Sequence, residues 1–96
     1  MKARLTRYRV EIYVNSYRDD PIAGFWSSTP FMPIQVGDEI DPWAWSEGDG
    51  ESYSNKGMCP DDSLLEVIGV RHLMMIGASG IIQSISVRVR FKERAS

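Results

Sequence analysis

The feature that most constrains this chain is a run near its C-terminus in which apolar residues recur at every second position. Ile85, Val87, Val89 and Phe91 alternate with Ser84, Ser86, Arg88, Arg90 and Lys92. Successive strand side chains point to opposite faces, so such a run predicts a half-buried β-strand. The same period governs the N-terminal segment, where Tyr8, Val10, Ile12 and Val14 alternate with Arg7, Arg9, Glu11 and Tyr13. No segment shows convincing helical periodicity.

Between these strands lie shorter ones separated by turn residues. Asn15 to Pro21 is turn chemistry, and 24–29 reads as a short strand ended by Pro30 and Pro33. Gly37-Asp38 predicts a turn, and 41–45 reads as extended, which puts Trp43 and Trp45 on one face by parity. Residues 46–63 carry no apolar periodicity and read as a long loop. In Leu64 to Ile76 the apolar parity changes at Gly69, where a β-bulge would switch register. A short helix after Asp61-Asp62-Ser63 is the other reading of the start of that run. Gly77-Ala78-Ser79-Gly80 predicts a hairpin turn. The expectation is one all-β domain over residues 1–96, a small antiparallel barrel or strongly curved sheet of five or six strands.

The segments Pro33 to Ile40, Val67 to His72 and Ile85 to Val89 together resemble a pattern in small SH3-like barrels. They are similar in style to short bacterial proteins carried on mobile elements such as integron cassettes. That resemblance implies a fold and carries no catalytic residue.

Composition excludes several classes. The chain has 96 residues, of which 43% are hydrophobic and 25% charged, an ordinary globular balance. Cys59 is the only cysteine, so no internal disulfide forms and no cysteine-based zinc site closes. The longest apolar run is Leu73 to Ile76, far short of a membrane span. These features fit a complete cytoplasmic protein with no membrane partner and no cofactor motif. Cys59 and His72 lack the flanking signature and third group of a cysteine nucleophile, and no catalytic constellation is seen. Glu47, Asp49 and Glu51 alternate like a calcium loop, but Ser52 and Met58 stand where an EF-hand needs Gly and Glu.

Charge is unevenly spread. Residues 1–15 carry net +3, residues 16–66 net −9 and residues 67–96 net +4. Three binding surfaces follow as expectations. Asp41, Trp43, Trp45, Glu47 and Tyr53 would give a cationic or planar ligand aromatic faces and carboxylates, unless the tryptophans plug the core. Arg7, Arg9, Arg88 and Arg90 would form a ladder for nucleic acid if the first and last strands are neighbours, Tyr13 stacking beside it. Ile68, Leu73 and Met75 would form an outward apolar patch that a second copy covers, making a homodimer. The leading reading is a non-enzymatic interaction module acting as a homo-oligomer. A small-ligand or nucleic-acid-binding barrel is the alternative.

Overall fold

The computed structural model describes residues 5–45, 52–77 and 80–94. Six strands form it: β1 (Leu5–Val14), β2 (Ala23–Ser27), β3 (Glu39–Ile40), β4 (Tyr53–Ser54), β5 (Ser63–Gly77) and β6 (Gly80–Glu93). They make one sheet in the order β3-β5-β6-β1-β2-β4, curled into a half-barrel. Among the described residues the helical elements are single 3₁₀ turns, Pro42–Ala44 and Lys56–Met58. The helix weighed for residue 64 onward does not form, because β5 starts at Ser63.

The sheet is two hairpin-like pairs joined side by side. β1 pairs antiparallel with β2, and β5 with β6. The seam between them, β1 on β6, is parallel, so the sheet is mixed rather than antiparallel throughout. Alternation sets which face each strand buries, but it does not say which distant strand lies alongside or in which direction. The seam aligns Val10 with Ile85, Ile12 with Val87 and Val14 with Val89. Both alternating faces therefore fall on one side. The other side receives Arg9 beside Ser84, Glu11 beside Ser86 and Tyr13 beside Arg88.

The inner side holds the core. Leu65, Val67, Val87 and Val89 are fully buried, with Val10, Ile12, Ile22, Ala23 and Cys59 around them. Phe31 and Ile34, from the segment between β2 and β3, pack against that core. Gly37 ends this segment with φ +98°, the left-handed conformation that glycine adopts without strain. Its N–H donates to Val67 O (2.9 Å) and Val67 N–H donates to Asp38 O (2.9 Å). The register of β5 on β6 slips between Val67 and Gly69, with Ile68 the extra residue, as the parity change predicts. Beyond the bulge the hairpin runs on to Gly77 and Gly80, and the molecule measures 55 × 25 × 24 Å.

Candidate functional site

The described members of the proposed aromatic–acidic site do not come together. Asp41 caps the first 3₁₀ turn, its Oδ1 accepting from Trp43 N–H (3.1 Å), and it also binds Arg94 Nη2 (2.9 Å). The turn sends the two indoles in different directions. Trp45 packs edge-on to Phe25 (5.6 Å between ring centres) against the core, which is the plug reading. Trp43 is 38% exposed and donates its indole N–H to Ser63 O (3.1 Å). Tyr53 lies on the opposite, outer face, directly beside Gly24 on β2. Glu47, with Asp49 and Glu51, falls outside the described residues.

Tyr53 lies there because Gly24 has no side chain. A Cβ at Gly24 would sit 2.7 Å from the Tyr53 ring. Burial, and then the nearby Glu11 carboxylate, push the Tyr53 phenol above its ordinary range. Tyr13, also on this face, is raised for the same two reasons.

The basic ladder divides into two. Arg90 pairs with Glu66 (2.5 Å) and Lys92 with Glu39 (2.8 Å), while Arg94 pairs with Asp41. Acids from the negative middle of the chain thus match the end of β6. The ladder's other members stay on the outer face among aromatic rings. Arg7 and Arg9 place their guanidinium carbons 4.2 and 5.1 Å from the Trp26 ring centre. Arg9 also donates to Ser84 Oγ (3.1 Å) and pairs with Glu11 (3.3 Å). Arg88 lies 5.9 Å and Arg71 4.3 Å from the Tyr17 ring centre.

Alternation within β1 and β6 gave no means of finding Arg71, Tyr17 or Trp26. Arg71 is brought in by the bulge, which sets residues 69, 71, 73 and 75 on the outer face. Gly69 then opens room for the stack, since a Cβ there would lie 3.2 Å from both Arg88 Nε and Tyr17 Oη. Ser84 and Ser86 are buried although they face outward, because arginine and tyrosine side chains cover them.

The third surface is the distal half of β5. Pairing outside β5 reaches residues 65 and 66, with further backbone bonds at Val67. From Val70 to Gly77 its outer edge has no paired strand among the described residues. Leu73, Met74 and Ile76 are 36%, 69% and 73% exposed there. Leu73 and Met75 do face outward, as expected, yet the larger exposure belongs to Met74 and Ile76 on the inner side. The hairpin outruns the core at that point, so its inner face loses cover. Ile68, at the bulge, is half-buried. A cavity of about 420 Å³ opens beside this stretch, lined chiefly by Tyr8, Phe31, His72, Met74, Gln83 and Ile85.

Cys59 is not among the lining residues of that cavity, and burial pushes its thiol upward. That opposes thiolate formation, which a nucleophile with His72 would need. Among the described residues no three His, Cys, Asp or Glu side chains gather as a metal site. Nor is any described helix long and apolar enough to cross a membrane. No protein family, curated protein or solved structure matches the chain, so function rests on these surfaces.

Proposed function

We propose that this protein is a non-enzymatic interaction module that works as a homodimer, joined through the distal edges of β5. The observation that carries this reading is the run Val70–Gly77, whose outer edge has no paired strand among the described residues, with its exposed Leu73, Met74 and Ile76. Soluble proteins ordinarily blunt such an edge with charge, proline or a covering element. Here residues 73–76 of the edge are apolar on both faces. Its run Leu73-Met74-Met75-Ile76 is also its own complement, since antiparallel pairing about a two-fold axis sets it against itself. No acid lies between Val67 and Gly80 to oppose that approach, and Arg71 and His72 stand off centre. The adjoining cavity gives inner-face side chains of the partner a place to enter. A reducing, cytoplasmic setting suits its one buried thiol.

Sedimentation velocity at micromolar concentration tests the reading. A dimer is expected, and Leu73→Asp or Met74→Lys should return it to a 10.9 kDa monomer with the fold intact. Both side chains are exposed, so neither change opens a core cavity. A monomer in the unaltered protein would overturn the proposal.

A further inference from the structure

We propose that the outer face binds single-stranded nucleic acid on arginines laid over aromatic rings. Two such stacks are present: Arg7 and Arg9 at Trp26, and Arg71 and Arg88 at Tyr17. A guanidinium held against a ring keeps its N–H edge in plane, where it meets phosphate oxygens as a fork. The ring has already restricted its rotamers, so less freedom is lost on binding. Among the described residues, Arg88 Nε, and Ser86 Oγ on the same face, are buried without a hydrogen-bond partner.

Charge singles out this half of the face. Among the described residues no carboxylate lies within 4.0 Å of Arg71 or Arg88, whereas Arg90, Lys92 and Arg94 are all in ion pairs. Glu11, an acid within the platform, is paired with Arg9. Ser84, bound to Arg9, and Arg88 stand four residues apart on β6, roughly 13 Å of strand. A flexible phosphate backbone can follow that line. Tyr53 is 41% exposed on the same face and offers a ring on which a base can stack. An acidic peptide would meet the arginines but bring no base to that ring. This inference is independent of the homodimer, because Arg88→Ser lies on β6 and leaves the β5 edge unchanged.

Fluorescence anisotropy with a fluorescein-labelled oligothymidine of on the order of a dozen nucleotides tests it. Saturable binding is expected at about 50 mM salt. If three phosphates are contacted, affinity should fall roughly ten- to twentyfold by about 200 mM. Arg71→Ser and Arg88→Ser should each flatten the logarithmic salt slope by about 0.7, as one lost phosphate contact predicts. Arg90→Ser should leave the slope unchanged. Tyr53→Ala should weaken binding on the order of tenfold or more at constant slope. No saturable binding at low salt would overturn the proposal, as would an equal loss with Arg90→Ser. Binding indifferent to Tyr53→Ala would mark a general polyanion surface and also overturn it.

Discussion

Trp43 and Trp45 stand two residues apart and serve different ends of the molecule. In an extended chain they would share a face, but a 3₁₀ turn completes a revolution in about three residues and separates them. Asp41-Pro42 specifies that turn, through a side-chain cap on Trp43 N–H and a proline at its start. Parity could not show this, since the cap acts locally and overrides the extended reading. The two indoles should therefore differ in energetic weight. Trp45→Ala removes a ring packed on Phe25 and the core, and should cost about 3 kcal/mol. Trp43→Ala loses partly exposed surface and one hydrogen bond to Ser63 O, and should cost about 1 kcal/mol. Urea unfolding of the two variants measures the difference. Equal costs would show that the indoles share one environment.

The elements were more legible than the contacts among them. The alternation of β1 and β6, the bulge at Gly69 and the turn at Gly37 all stand where local residue chemistry puts them, and Gly77 pairs with Gly80, although Ala78 and Ser79 of the expected turn lie outside the described residues. What alternation could not supply was the parallel seam, nor the distance by which one hairpin outruns the core. That overhang has a dynamic consequence. Near Val87 and Val89 the hairpin is backed by Val10, Ile12, Leu65 and Val67. Toward Ile76 the same ladder has exposed side chains, and among the described residues no strand pairs with its β5 edge. Local opening needs less free energy where less apolar surface is buried. Amide hydrogen exchange should therefore be slowest at Val87 and Val89 and quicken toward the turn. In a β5-paired dimer, protection along 70–76 should rise with protein concentration. Uniform exchange along the hairpin would contradict the gradient.

Across the whole molecule, the two-residue strand β3 poses the sharpest question of attachment. β3 contributes two residues to the sheet edge, Glu39 beside Glu66 and Ile40 beside Leu65. Two carboxylates placed side by side repel unless cations answer them. Lys92 reaches both, at 2.8 Å to Glu39 and 3.8 Å to Glu66, while Arg90 holds Glu66 and Arg94 holds Asp41. The negative middle and positive end visible in the sequence are thus a local row that ties β3 and the following turn to β6. The Arg94 guanidinium, and then the Trp43 N–H, hold the Asp41 carboxyl below its usual 3.8. The Glu39 carboxylate holds the Lys92 ammonium above 10.5. A depressed carboxyl contributes stability above its unfolded value and loses it as pH falls through the folded one. A raised ammonium contributes below its unfolded value and loses it as pH rises through its own. Both contributions are therefore present between about pH 4 and pH 10 and fade outside that window. Exposure and salt keep them modest. Asp41→Asn preserves an oxygen for the cap while removing the charge that Arg94 meets. Thermal unfolding followed from pH 6 down to pH 3 should show a shallower fall in Tm for that variant. Added salt should bring the two profiles together. Profiles that already coincide at low salt would mean that the row does not secure the β3 edge.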